Sequence, residues 1–167
     1  MNFNELTVKF THLKRNEILQ DWVWLIGKDK LPILITSFGC AFVQGRSDGK
    51  VYFLDVLTGE LTQVASSPEK LQEKLNIHEF SNQYLHMQLV DDLMDAGVSL
   101  EHNQVYSFKH PLVLGGVFES ENIEVSDISV HFSFHGQVHE KVKSLPEGAD
   151  VNAVSIESKK KSWWKFW

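Results

Sequence analysis

The sequence predicts an α+β fold in which an antiparallel β meander packs against three or four helices. Residues 30–65 contain short runs of β-branched and aromatic residues separated by turn residues, and such short connections make neighbouring strands antiparallel. Residues 66–143 instead place apolar side chains at i, i+3 and i+4, the spacing of amphipathic helices. Because 167 residues are enough for one core, we interpret residues 1–150 as a single domain and residues 151–167 as a tail.

Composition and charge narrow the classes of function. Hydrophobic residues make up 43% of the chain and charged residues 23%, as in ordinary globular proteins. The net charge of −6 argues against nucleic-acid binding, which normally shows a basic stripe. It suits a basic protein partner, although solubility alone is the commoner reason for such a charge. Cys40 is the only cysteine and no apolar signal region follows Met1, so we expect a cytoplasmic protein.

The first 27 residues are predicted to be helical, because their apolar side chains recur at helix spacing and Gly27 can end the segment. Trp22 and Trp24 are expected to pack in the core rather than to bind a ligand.

Four β-type runs follow, and they occupy residues 31–38, 40–45, 51–56 and 61–65. Asp48-Gly49 forms the centre of the turn between the second and third runs. The spacing of Asp48 and Asp55 lacks the ligand series of an EF-hand, so turn formation explains Asp48 better than calcium binding does.

Two helices are predicted after the meander. Ser66-Ser67 precedes a short helix over 68–75 with a serine as its cap, and a longer helix covers 78–96 with Gly97 as its C′ residue. The outer face of the longer helix carries three acids, Asp91, Asp92 and Asp95. Acids near a helix C-terminus oppose the helix dipole, so this cluster indicates either a partner-binding surface or a solvated face.

A strand, a loop and a second short strand are predicted next. The first strand spans 105–108, and the second lies within 118–125. Between them, His110-Pro111 requires extended backbone and Gly115-Gly116 predicts a tight turn. A second acidic set lies close to this turn: Glu119, Glu121 and Glu124.

The last predicted element is a helix over 127–143 with Ser126 as its N-cap. Its apolar arc is predicted to contain Ile128, Val130, Phe132, Phe134, Val138 and Val142. Ser129, Ser133, Gly136, Gln137, Glu140 and Lys143 are predicted on the opposite arc. Residues 128–134 also alternate like a half-buried strand, but the helical pattern continues past Gly136 and stops at Leu145-Pro146.

Three histidines recur at i, i+4 and i+8 of this helix: His131, His135 and His139. Imidazoles at this spacing can chelate zinc, but histidines within an apolar arc are more often core residues. No carboxylate or thiolate has a matching spacing, so we treat them as weak metal candidates and expect no cofactor.

Motifs for catalysis are absent from the sequence. It contains no G-x-S-x-G elbow, no phosphate-binding glycine loop, and no catalytic context around Cys40. We therefore expect a protein that is not an enzyme.

The C-terminal tail ends in SKKKSWWKFW, which mixes lysines with Trp163, Trp164 and Trp167. This composition suggests either membrane-surface contact or a disordered end, and the stretch is short for a firm membrane anchor.

Four segments form a specific pattern in their order and spacing: VYFLDVLTGELTQVA, MQLVDDLMDAGVSL, YSFKHPLVLGG and NIEVSDISVHFSFHGQVHEKVKSLPEG. Together they resemble a bacterial family associated with type VI secretion immunity proteins that protect the producing cell from a DNase toxin. The resemblance covers residues 51–148 and implies that residues 1–50 are a diverged form of the GAD-like module often found in such proteins.

The resemblance implies a protein that neutralises a cognate toxin by binding it. We assign the contact surface, on charge alone, to the two acidic sets at 91–95 and 119–124. One alternative is an interaction or scaffold domain with another partner, attached to a membrane through its tail. A second alternative is a small metalloprotein that uses the three histidines.

Overall fold

The computed structural model describes residues 2–151 and 154–156, and it confirms the predicted fold class. One antiparallel sheet has the strand order β1-β2-β3-β4-β5. Its strands are β1 (Thr7–Val8), β2 (Lys30–Thr36), β3 (Ala41–Gly45), β4 (Val51–Asp55) and β5 (Glu60–Ala65). The predicted meander is therefore present, and β1 adds an edge strand that the sequence did not predict.

A second antiparallel pair consists of β6 (Gln104–Phe108) and β7 (Ile123–Asp127). The backbone N–H of Tyr106 donates to the carbonyl oxygen of Ser37 at 2.7 Å, which attaches this pair just beyond the end of β2. β6 confirms its prediction. β7 begins within the predicted range 118–125, after a 3₁₀ turn over Ser120–Asn122, and continues beyond it to Asp127.

The described residues contain helices of very different lengths. They are α1 (Phe3–Leu6), α2 (Arg15–Ile18), α3 (Val23–Ile26), α4 (Pro68–Leu75), α5 (His78–Leu85), α6 (Met87–Asp95) and α7 (Ile128–Val142). None of them is long and apolar enough to cross a membrane. α4 has its predicted bounds, and Oγ of Ser67 accepts the backbone N–H of Lys70 as the predicted cap.

The prediction that residues 1–27 are helical is confirmed only in part. The segment contains only short helices and a 3₁₀ turn over Gln20–Trp22, with β1 between α1 and α2. Thr7 and Val8 pair with Thr36 and Ile35, so tertiary pairing overrides the helical spacing there. Gly27 does end α3, with a φ of +76°.

The prediction of one helix over 78–96 is wrong, because the helix is interrupted at His86. This residue adopts the left-handed conformation (φ 51°, ψ 45°), which a continuous helix does not contain. Its ring lies 5.4 Å from the ring centroid of Phe38 and 5.5 Å from that of Phe118. The periodicity of apolar residues does not reveal such a tertiary contact, so the interruption of the helix could not be predicted from it. α6 ends as predicted at Gly97, whose N–H donates to the carbonyl oxygen of Met94 at 2.9 Å.

α7 is a helix from its first turn, so the strand alternative for residues 128–134 is wrong. Its N-cap is Asp127 rather than Ser126, since β7 continues through Ser126. Oδ1 of Asp127 accepts the backbone N–H groups of Ser129 and Val130 at 2.8 and 3.2 Å.

The buried face of α7 differs from the predicted arc. Val130, predicted to be buried, is 60% exposed, whereas Gly136 and Gln137 are buried. The helix turns this side inward because it packs on the 3₁₀ turn containing Trp22. A Cβ atom on Gly136 would lie 2.6 Å from the carbonyl oxygen of Asp21, so this close approach requires glycine.

The two tryptophans confirm their prediction as packing residues. Trp22 is fully buried and its Nε1–H donates to the carbonyl oxygen of Phe132 at 3.0 Å. Nε1–H of Trp24 donates to the carbonyl oxygen of Gly136 at 3.2 Å. Trp22 ends the 3₁₀ turn and Trp24 lies in α3, so both of these elements share one core with α7.

Candidate functional site

The loop between β6 and β7, residues 109–122, is closed by Asn122. Its carbonyl oxygen accepts the backbone N–H of Lys109 at 2.8 Å, and its Oδ1 accepts the N–H of His110 at 2.9 Å. Its Nδ2 donates to the carbonyl oxygens of His110 and Val117 at 2.9 and 2.8 Å. One side chain therefore ties both ends and the middle of the 109–122 loop.

The Gly115-Gly116 turn tightens the loop as predicted. Gly115 has a φ of +93°, in the region that favours glycine. A Cβ atom on Gly116 would lie 2.0 Å from the carbonyl oxygen of His110, so a larger residue would push the two sides of the loop apart. The ring Nε2 of His110 also lies 2.8 Å from the carbonyl oxygen of Leu114, and we infer that it donates to it.

This rigid loop presents apolar side chains to solvent. Val113, Val117 and Phe118 are 38%, 54% and 45% exposed. The ring of Phe118 also packs 5.3 Å from that of Phe108 and 6.3 Å from that of Phe38. Part of the Phe118 ring is thus anchored in the core while the rest faces solvent. Three such side chains on one loop make it a candidate interaction surface.

His86 connects the loop to α6. It is half-buried at the break before α6, and its ring lies against Phe118. Burial lowers the pKa of His86, so the imidazole is neutral at pH 7 and packs as an aromatic ring. The contact places the start of α6 beside the 109–122 loop.

The two predicted acidic sets belong to the segments that meet at this contact, one to α6 and the other to the loop and the start of β7. Asp91, Asp92 and Asp95, called here the α6 acids, are all exposed. Glu119, Glu121 and Glu124, called the loop acids, are exposed as well. Within the described residues, none of the six forms an ion pair; Asp92 accepts only a hydrogen bond from Nε2 of Gln88 at 3.0 Å.

The three histidines of α7 lie in the core, where two of them meet backbone carbonyls. His131 Nε2 lies 3.2 Å from the carbonyl oxygen of Gly39, and His139 Nε2 lies 2.9 Å from that of Val56. Carbonyl oxygens only accept, so each Nε2 carries the hydrogen. Ser107 then donates to His131 Nδ1 at 2.9 Å and accepts from His135 Nε2 at 3.3 Å.

Two glycine turns make room for these rings. A Cβ atom on Gly39 would lie 2.2 Å from Nε2 of His131, and one on Gly59 would lie 2.4 Å from Nδ1 of His139. Burial lowers the pKa of His131 to about 4 and that of His135 to about 2. The rings are therefore neutral hydrogen-bonding groups. In the described part of the chain, no three or more His, Cys, Asp or Glu side chains are arranged to hold a metal ion.

Cys40 is also a core residue. Its side chain is fully buried, and burial together with the neighbouring Asp55 raises the pKa of the thiol well above its ordinary value. A protonated, inaccessible thiol is not a nucleophile.

Sequence reasoning missed the exposed apolar side chains of the 109–122 loop. The signal was the run VLGGVF, in which apolar residues surround two glycines and fit neither helix nor strand periodicity. Trp163, Trp164 and Trp167, the predicted tail contacts, lie outside the described residues.

Residues 65–139 match the family model described as T6SS immunity protein Tdi1, C-terminal. This match confirms the resemblance to type VI secretion immunity proteins over a range that contains α4, α5, α6 and the whole 109–122 loop. It does not extend to residues 1–50, for which a GAD-like module stays a prediction.

The chain is also similar to a solved structure, the crystal structure of Atu4351 from Agrobacterium tumefaciens, with a TM-score of 0.53 and 17% sequence identity. The match covers 74% of this chain, which spans 64% of the length of that structure. Similarity at this level of identity supports the fold. No curated protein matches the chain.

Because His131 and His135 are buried as neutral rings, we expect the protein to become less stable in acid. The unfolded chain binds protons as the pH falls through about 6.5, whereas native His131 and His135 resist protonation down to their lower pKa values. The free energy of unfolding should therefore fall between pH 6.5 and 4, by about 2 kcal/mol for each histidine at pH 5. Urea denaturation at a series of pH values measures this.

The variant His135→Phe should lose part of this pH dependence, and His78→Phe, at an exposed position of α5, should keep all of it. Equal slopes for wild type and His135→Phe would contradict the assignment to His135.

Proposed function

We propose that this protein is a type VI secretion immunity protein that neutralises a cognate toxin by binding it, without catalysis. The match of residues 65–139 to the immunity family carries the proposal. The matched range includes the α6 acids and the exposed side chains of the 109–122 loop. The exposed acids and the exposed apolar side chains of the candidate site thus lie within the region that matches the immunity family.

The charge of the site supports a DNase as the toxin. A nuclease must hold phosphate with a basic surface. The α6 acids and the loop acids are exposed, and no ion pair within the described residues neutralises them. Opposite charges on two proteins accelerate their encounter and fix their orientation. We therefore propose that these six acids face the phosphate-binding surface of the toxin.

The apolar part of the site would supply most of the affinity. Protein interfaces combine an apolar centre with a polar rim, and partly buried aromatic residues often dominate their energetics. Phe118 has this character, with Val113 and Val117 on the same loop. Because Asn122 already holds the loop in one shape, little conformational entropy would be lost on binding.

The domain organisation and location follow from the same proposal. We propose that residues 1–150 act as one unit, since Trp22 and Trp24 hydrogen-bond to α7 and β1 pairs with β2. We place the protein in the cytoplasm of the producing cell, where a DNase would meet its substrate.

Co-expression tests the function directly. A candidate toxin encoded beside this gene should kill cells that lack the protein and spare cells that express it, and a pull-down should recover a stable complex. Killing despite expression of the folded protein, with no complex, would refute immunity against that toxin.

Charge reversal tests the acidic surface. Asp91→Lys, Asp92→Lys and Asp95→Lys together should slow association with the toxin about tenfold or more at low salt, because electrostatic steering is lost. The difference should shrink at about 1 M salt, where the screening length is only ~3 Å. Stopped-flow association rates measure both effects.

The matched control carries Glu60→Lys, Glu79→Lys and Glu140→Lys, which make the same change in net charge at exposed positions outside the two acidic sets. Equal slowing by both triple variants would show that net charge, rather than the α6 acids, sets the rate.

Truncation of the proposed anchor tests the apolar centre. Phe118→Ala should weaken toxin binding by about 2 kcal/mol or more, roughly 30-fold, as at other interface hot spots. Val130→Ala removes a side chain that is 60% exposed on α7, away from the loop, and should leave affinity unchanged. Calorimetric titration measures both, and wild-type affinity in Phe118→Ala would remove the 109–122 loop as the interface centre.

A further inference from the structure

An open cavity of about 420 Å³ lies at the start of β2, beside α2 and α3. Four apolar side chains contribute to its lining: Leu19, Val23, Ile26 and Leu31. Leu19 and Ile26 belong to the buried core, so this part of the wall is fixed. The volume lies within the range of small-molecule sites, about 300–1,000 Å³.

The other side of the cavity is basic. Its lining includes Arg15, Lys28, Lys30 and Arg46, four of the 16 Lys and Arg residues in a chain whose net charge is −6. Glu17 is the only acid in the lining, and its carboxylate lies 3.1 Å from Nζ of Lys14. The cavity therefore concentrates positive charge on a protein that is acidic elsewhere.

Two of these cations are held in place by the fold. Nε and Nη2 of Arg15 donate to the carbonyl oxygen of Pro32 at 3.0 and 2.6 Å, which leaves Nη1 for a ligand. Nζ of Lys30 lies 3.3 Å from Oδ1 of Asp29 and 4.9 Å from the ring centroid of Tyr52. Arg15 could thus bind an anion with little reorganisation, whereas the ammonium of Lys30 is already paired with a carboxylate and contributes less charge to the cavity.

The other two cations have no such partners. Within the described residues, the side chains of Lys28 and Arg46 form neither a hydrogen bond nor an ion pair. The backbone N–H of Arg46 donates to the carbonyl oxygen of Asp29 at 2.9 Å, which keeps the residue beside the cavity. Both side chains can therefore turn toward an anion without breaking an existing interaction.

The cavity is remote from the 109–122 loop. Lys30 and Leu31 stand at the first end of β2, whereas Phe38, which contacts Phe118, follows its other end. A strand of seven residues is about 20 Å long. A ligand in the cavity and a protein on the loop would thus occupy separate parts of the molecule.

We propose that this cavity binds a small organic phosphate with an apolar or aromatic body, of the mononucleotide class. Guanidinium and ammonium groups recognise phosphate through charge-assisted hydrogen bonds, and an arginine can offer two parallel donors. The apolar wall takes the body of the ligand. A bare anion would use only the basic side, so the combination favours an amphipathic ligand.

Calorimetric titration of the full chain with ADP, pyrophosphate and inorganic phosphate tests this proposal. ADP should bind with a Kd below about 1 mM and more tightly than pyrophosphate. Lys28→Gln with Arg46→Gln should weaken ADP binding at least about tenfold, since two charge-assisted contacts are lost. Lys9→Gln with Lys50→Gln removes the same charge at exposed positions outside the cavity and should leave ADP binding unchanged.

Three results would overturn the proposal. ADP and pyrophosphate could both fail to bind at millimolar concentration, or both double variants could weaken ADP binding equally. Pyrophosphate could also bind as tightly as ADP, which would show that the apolar wall contributes nothing. Thermal melting of each double variant checks folding, and the single variant Lys28→Gln is used if the double variant of Lys28 and Arg46 unfolds. The assay contains no toxin, so its outcome is independent of the function proposed above.

Discussion

Helix α7 is fastened to the rest of the molecule by hydrogen bonds between buried side chains and backbone carbonyls. His131 and His139 of α7 donate to carbonyls in the turns of the sheet, and Trp22 and Trp24 donate to carbonyls of α7. These bonds satisfy polar groups whose burial would otherwise cost several kcal/mol. They also fix the rotation of the helix, because two imidazoles eight residues apart, His131 and His139, must each meet a glycine turn, at Gly39 and Gly59.

The candidate site depends on this attachment. Ser107 of β6 lies between His131 and His135, so the β6–β7 pair is held against α7 as well as against the end of β2. The 109–122 loop connects the two strands of that pair, and hydrogen bonds of Asn122 close it. His86 then aligns α6 by contact with Phe118. The left-handed conformation of His86 costs free energy, and the packing of its ring against Phe38 and Phe118 stabilises it.

The sequence predicted those elements whose signal is local. The meander, α4 and the stop at Gly97 follow from turn residues, caps and periodicity, and all are confirmed. It failed where a distant contact decides the structure, as with the pairing of β1, the break at His86 and the buried face of α7. The exposed acids could be named in advance, but Phe118 could not, because its half-exposure depends on Phe38 and Phe108.

Net charge alone conceals how the charges are arranged. A value of −6 argues against a surface that binds polyanionic nucleic acid, yet four cations still surround one cavity at the start of β2. The loop acids belong to the β6–β7 segment, which is attached beyond the other end of that strand. Screening in physiological salt limits the reach of each field to about 8 Å, which is less than the ~20 Å length of β2. If both proposals hold, a basic protein and a small anion are attracted to the same molecule, each by its own group of charges.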